Sequence, residues 1–357
     1  MIREADGTEY QYSAPWDVDM YDRFYDAVEV VEGIGNVKGG IIPHHLLAGY
    51  MDASFFDYIK KQNPSTIVLI GPNHFARGYG KVISTQKDWK TIYGYQKTDI
   101  DRIEKLVDTG IVTIEEDVIS DEHAIYSLIP FIRKSLPGST VIPLALRGDL
   151  SYKEMDALVE EIIDVVPRDT VFISSIDFSH YQNITVADFH DDLSHGVIRS
   201  FDFDRIEKLE IDSVPSLYTL MRLMEHYGTQ KIAHEMSDNS AKIARSSGEE
   251  LSTSYYSPYF VKGEPSEERV VSILQFGDMM LGRDVAYYSA IKGDDYPLRE
   301  LAGLEDRFFI GSDLVTANLE GPFADWRRDT TKSIAFRFDP KIIPVLQKYN
   351  FFIIQYC

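Results

Sequence analysis

The chain has 357 residues, enough for about two domains at roughly 150 residues each. Hydrophobic residues make up 44% and charged residues 26%, proportions that exclude a disordered chain. The 36 basic residues against 57 acidic ones leave a formal charge of −21, which excludes nucleic acid or an anionic membrane surface as the main partner, because both need clustered Lys and Arg.

Residues 1–35 are aromatic and acidic with little periodicity, and read as a lead-in that packs on the first domain. Val37 to Ile42 is the first expected strand, followed by a helix over Leu46 to Lys61 with Leu47, Tyr50, Met51, Ser54, Phe55 and Tyr58 on one face. Thr66 to Gly71 is a continuous apolar, β-branched run, the pattern of a buried parallel strand. Further strands are expected near 111–115, 140–146 and 170–176, and further helices near 98–109, 122–135, 152–166, 184–200 and 214–228. This alternation predicts an α/β sheet with helices on both faces, and such sheets bind ligands at the C-terminal ends of their strands. The polar stretch 263–269 reads as a linker, and a new strand starts at Val270. The chain then stops inside the apolar run 351–357, so the second domain, 270–357, reads as incomplete.

The lone cysteine, Cys357, excludes an internal disulfide and a cysteine-rich zinc site. No apolar run approaches the roughly 18 residues of a membrane span. Met1 to Asp6 lacks a signal-peptide core, so the chain as given reads as cytoplasmic; a missing N-terminal segment would shift that reading to the cell envelope. No oligomeric state is specified.

The histidines are unevenly placed. His44 and His45 follow the first strand, His74 the second, and His180 the strand near 170–176, while His123 opens a helix. If the sheet forms, these residues converge on one rim. Two or three histidines plus a carboxylate is the ligand set of a catalytic iron, zinc or copper site. A lone histidine at a strand end is more often a hydrogen-bonded loop residue, and no HxH or HExxH spacing is present. His190, His195, His226 and His234 have no motif context.

The segments Pro43-His44, Gly71-Pro72-Asn73-His74, Glu122-His123-Ala124-Ile125 and Ser174 to His180 resemble, in this order, the motifs of the Memo family, which includes the AmmeMemoRadiSam system protein B group. The likeness spans residues 36–262. It implies an α/β/α sandwich similar to the class III extradiol dioxygenases, with a pocket for a non-haem metal. His44 and His74 match the family's metal-binding histidines, Asp177 and His180 match further pocket residues, and His123 matches a pocket-side histidine. The family's third ligand is a cysteine; here the matching stretch, Glu210 to Pro215, offers Asp212. Asp212 either completes a 2-His-1-carboxylate set, which favours Fe(II) over Cu(I) with zinc also admissible, or caps the following helix. The resemblance implies His180 as general acid/base oriented by Asp177 near working pH, with His123 as a hydrogen-bonding neighbour of the metal.

In the second domain, Phe276-Gly277-Asp278 and Asn318-Leu319-Glu320-Gly321-Pro322 resemble the CapA-like capsule-synthesis family, whose fold is similar to the metallophosphatases. Asp278 and Glu320 match its candidate metal positions. The later histidine motifs of that family are missing, so the resemblance implies a partial α/β domain without phosphoesterase activity. Three functions follow as expectations: a non-haem metal-dependent redox or dioxygenase-like enzyme acting on a small molecule or peptide, a non-catalytic binding scaffold for such a ligand, and a role in capsule or polyglutamate synthesis for a longer chain. A nucleotide-binding enzyme is disfavoured, since no GxGxxG or P-loop follows any strand.

Overall fold

The computed structural model describes all residues except 1, 5–6, 14–16, 29, 247–250, 304–305, 326–335 and 356–357, so Cys357 lies outside the described residues. Its centre is a nine-stranded mixed sheet. Four parallel strands form the middle, in the order Val37–Ile42, Val171–Ser175, Thr66–Pro72 and Thr140–Leu146. Val82–Ser84 and Val112–Ile114 extend one side.

Alternation along these strands divides the core in two. Ile41, Val68, Ile70, Ile142, Leu144 and Phe172 face one way, onto the helices Ile100–Asp108, Tyr152–Val165, Ile184–Ser200 and Val214–His226. Their neighbours Ile42, Ile67, Leu69, Val141, Val171 and Ile173 face the other way, onto Gly49–Ile59, Ile129–Ser135 and Val18–Asp26. Both faces are therefore covered by helices. This is the α/β arrangement expected from continuous apolar strands, each fully buried aliphatic side chain contributing about 1.5–3 kcal/mol.

Several elements differ from expectation. Gly49–Ile59 buries nearly its whole circumference, whereas Leu47, expected on its inner face, is exposed and Tyr58 only half-buried. The cause is a second neighbour: the Val18–Asp26 helix packs on its outer side, with a Phe24 ring atom 2.6 Å from where a Cβ on Gly49 would stand. The lead-in thus contributes a core residue, Tyr21, whose hydroxyl donates to the Ser127 carbonyl at 2.9 Å. The single helix expected over 122–135 is two, His123–Tyr126 and Ile129–Ser135. Pro130 has no N–H to continue the first into the second.

The long hairpin of Lys231–Asn239 and Ser252–Val261 is not apparent in the sequence. Its inner strand, rich in Ser and Tyr, adds antiparallel to Val37–Ile42 through Tyr259–Gly40 and Phe260–Gly39. Gly40 allows this close packing, since a Cβ there would stand 2.9 Å from the Pro258 carbonyl oxygen, and 2.3 Å from the Phe55 ring of Gly49–Ile59. The strand expected from Val270 begins later, at Ile273, and forms a separate three-stranded parallel sheet with Leu314–Leu319 and Phe351–Gln355. A small core of Leu298, Phe309, Val315 and Leu346 backs this sheet. Among the described residues, no helix is long and apolar enough to cross a membrane.

One buried group opposes the fold. Asp52 is fully buried in Gly49–Ile59, and among the described residues neither carboxylate oxygen has a hydrogen-bond partner. Burial, helped by the charge of Asp177, holds its carboxyl well above the ordinary value of 3.8. The folded chain therefore keeps this proton more tightly than the unfolded chain, and stability is lost as pH rises above the ordinary value. Asp52→Asn is expected to stabilise the chain by about 1–3 kcal/mol at pH 8 and to change it little at pH 4. Thermal melts at the two pH values check this; an Asn variant that melts lower at pH 8 would mean the carboxylate has a favourable partner.

Candidate metal centre

Three neighbouring parallel strands end together. Ile42 pairs with Ser175, and Ser174 with Ile70. His44, Asp177 and His74 each lie two residues past the end of one of these strands. Strands about 4.8 Å apart thus deliver all three side chains to one place. Asp212 comes from the loop before Val214–His226. An isolated bridge between Phe178 and Ile211 docks that loop, with Asp212 N donating to the Asp177 carbonyl at 3.2 Å and Asp177 N to Asp212 Oδ2 at 3.0 Å. Asp212 does not cap the helix: Ser213 does, its hydroxyl accepting from Ser216 N at 3.2 Å.

His44 Nε2 lies 3.3 Å from Asp212 Oδ2 and 3.5 Å from Asp177 Oδ2, and His74 Nε2 lies 3.7 Å from Asp212 Oδ2. Ligand atoms about 2.1 Å from a shared ion stand roughly 3.0–3.4 Å apart, close to these separations. Ligand atoms of His44, His74 and His123 also fall within 4.8 Å of one another, as do those of His44, Asp177 and Asp212. Each of the two inner histidines is held by its other nitrogen. His44 Nδ1 meets Ser175 Oγ at 3.1 Å and His74 Nδ1 meets Glu122 Oε1 at 2.8 Å. Glu122 also accepts from His74 N and Ala124 N. Asp212 Oδ1 is buried and, among the described residues, has no hydrogen-bond partner, so the donor set has capacity for a cation.

The electrostatics are those of a site short of positive charge. Burial, then the neighbouring His74 and His123, hold His44 well below the usual histidine range, so it is neutral. Burial also lowers His74, but Asp212 and Glu122 on either side outweigh it and raise the ring to about 10. Burial raises Asp177 far above the carboxylate range, and the charge of Asp212 adds to this. Burial raises Asp212 too, against the pull of His74. His74 therefore keeps a proton where an ion would sit.

His123 stacks on His74 with ring centroids 4.1 Å apart and is lowered by burial and by His74. His180 lines the same cavity of about 1250 Å³, with apolar walls that include Phe24, Leu47, Phe75 and Tyr126. Its relation to Asp177 differs from expectation. Among the described residues no hydrogen bond joins them; Asp177 Oδ1 accepts from His44 N at 3.1 Å, and Glu210 Oε2 accepts from His180 N at 2.6 Å. Burial and Arg307 hold His180 at about 3, below any working pH. His45 is held by Tyr255 at 2.5 Å. His190 is buried between Ser179 and the Phe308 carbonyl, and His195 stacks on Tyr256.

Sequence reasoning missed Ser175, Glu122, Glu210 and Arg307. Glu122 had a signal, as the acid directly before His123; Arg307 had none. In the second sheet, Asn318 Nδ2 donates to Asp278 Oδ1 at 2.8 Å and to Glu320 Oε1 at 3.2 Å, on the surface. These two carboxylates share an amide, and among the described residues they belong to no three-ligand set.

Comparisons with known proteins show which families the chain resembles. A family model described as Memo-like protein matches residues 17–245, and one described as bacterial capsule synthesis protein PGA_cap matches residues 272–356. A MEMO1 family protein from Caldivirga maquilingensis is 29% identical over 205 residues, covering 54% of this chain and 67% of that protein. A MEMO1 family protein from Thermococcus onnurineus is 25% identical over 223 residues, covering 58% and 76%. A crystal structure of an uncharacterized protein from Escherichia coli K12 aligns at 10% identity over 62% of this chain and 99% of that one, with a TM-score of 0.38, too distant to bear on function. The chain belongs to the Memo-like family and carries a PGA_cap-like segment after its Memo-like part.

Proposed function

We propose that the Memo-like part is a non-haem metal-dependent oxidoreductase, dioxygenase-like in its chemistry, with Fe(II) held by His44, His74 and Asp212. The observation that carries this reading is the orientation of the two imidazoles. Each turns Nδ1 to an outer hydrogen-bonding partner and Nε2 to the same Asp212 oxygen. Outer partners of this kind fix the tautomer of ligating histidines. Two imidazoles and a carboxylate, without a thiolate, favour Fe(II) over Cu(I), and zinc fits the same donors. Bound there, ferrous iron supplies redox chemistry with dioxygen and Lewis acidity toward a substrate oxygen.

The remaining groups divide the work of binding and proton transfer. Asp177 fixes the His44 backbone and holds a proton beside the site. His180, held neutral at about 3, stays unprotonated at working pH and offers its ring to the pocket as a hydrogen-bonding group. His123 offers a second neutral ring at the pocket wall. The apolar walls exclude water and suit a small organic molecule or a peptide side chain.

Elemental analysis of the full chain purified without chelator should find about one equivalent of iron, or zinc or copper in its place, absent from a His44→Ala/His74→Ala double variant. A parent chain that stays empty even with added Fe(II), Cu or Zn would instead favour a non-catalytic binding scaffold. Glu122→Gln should weaken metal binding by about 10- to 100-fold in a competition titration, because it removes the carboxylate that orients His74. Because His74 holds its proton up to about 10, metal binding at neutral pH must displace it. Affinity should then rise roughly tenfold per pH unit between about pH 6 and 9, and calorimetry in buffers of different ionisation enthalpy should count about one proton or more released per ion.

A further inference from the structure

The PGA_cap-like segment touches the pocket of the Memo-like part. Among the described residues lining the cavity, Arg307 is the lone Lys or Arg, and every other lining residue lies at or before Thr253. We propose that Arg307 positions His180 through Glu210, so that the second segment forms part of the site. The inference rests on the reading of His180 as a substrate-binding group of the pocket.

Glu210 links the two residues. It is 1% exposed; Oε1 accepts from Arg307 Nη1 and Oε2 accepts from the His180 backbone N–H. Ser179 adds a further hydrogen bond to the same carboxylate. The guanidinium also lies 5.6 Å from the centre of the Tyr181 ring. Tyr181 has φ +57, a left-handed conformation that a non-glycine residue keeps only where its surroundings enforce it. The turn carrying His180 is thus gripped at three consecutive residues, 179 to 181, by Glu210 and the Arg307 that neutralises it.

The contact belongs to a built interface. Gly311 N donates to the Lys208 carbonyl at 2.9 Å, and a Cβ at Gly311 would stand 2.7 Å from the His190 ring, so glycine allows the approach. His190 joins both sides, from Ser179 Oγ to the Phe308 carbonyl, each at 3.3 Å. Arg205 bonds Asp313 Oδ2 at 3.1 Å, and Lys208 bonds the Asp313 carbonyl at 3.2 Å. Residues 307–313 therefore lie along the loop that runs from Arg205 to Glu210 and beneath the His180 turn. Without Arg307, the Glu210 carboxylate would be sealed in the interface with no counter-charge, and its grip on His180 N would loosen.

The test uses the metal-free full chain with 13C-labelled histidine, observing the His180 ring Cε1–Hε1 resonance at pH 8, assigned with His180→Gln. His180 is neutral there, so a change in its resonance reports position. Arg307→Ala should shift and broaden this peak while the His226 peak, remote from the interface, stays in place; Arg307→Lys should return it to the parent position. An Arg307→Ala peak coincident with the parent, or an Arg307→Lys peak that stays with that of Arg307→Ala, would overturn the proposal. If Arg307→Ala fails to fold, Arg307→Gln replaces it, with the same two outcomes. Because no metal is present, failure here is distinct from failure of the metal reading, which elemental analysis decides.

Discussion

The carboxylates of two residues, Asp177 and Asp212, are nearly covered side by side at the ends of a parallel sheet, 5% and 7% exposed. Two acids in a poorly hydrated site cannot both ionise without a cation between or beside them. In the metal-free chain Asp177 keeps a proton, and the cation beside Asp212 is the protonated His74, at about 10. The rest of the site follows from this constraint. Glu122 holds the far side of His74, Ser175 holds the far side of His44, and the freed nitrogens face the acids. A divalent ion meets the same need with more charge and with ligand geometry that a single proton cannot use.

The fold creates the constraint by strand order. Val171–Ser175 is inserted between Val37–Ile42 and Thr66–Pro72, so the residues following three neighbouring strands arrive as histidine, aspartate, histidine. The hydrophobic alternation that splits the core makes the strands continuous and rigid, and the reactive side chains sit on short extensions of that frame. Asp212 is brought in from a distant part of the sequence, but its backbone is tied directly to Asp177. Loop flexibility is thereby removed at the position of this carboxylate.

Much of this was legible in the sequence. Thr66 to Gly71 and Thr140 to Leu146 announce buried strands by continuous apolar character, and the histidines that follow strands mark the rim. Ile184–Ser200 is found where its periodicity put it. Other elements were hidden for physical reasons. Ser252–Val261 pairs as a long strand although Ser, Tyr and Pro dilute its β signal, because tertiary pairing to Gly39 and Gly40 outweighs propensity. Pro130 divides a helix that periodicity alone joins. Arg307 stands between Asp306 and the apolar Phe308-Phe309-Ile310 with no motif around it, and only three-dimensional proximity reveals its link to Glu210 and His180. The pairing of Asp177 with His44 instead of His180 was equally invisible, since it depends on which strand lies next to which.

The account depends on where a metal ion sits. Crystals of the full chain grown with ferrous iron under anaerobic conditions, measured at the iron absorption edge, answer this directly. The account predicts one anomalous peak about 2.0–2.2 Å from His44 Nε2, His74 Nε2 and an Asp212 oxygen. A peak only at Asp278 and Glu320, or none at all, would contradict it.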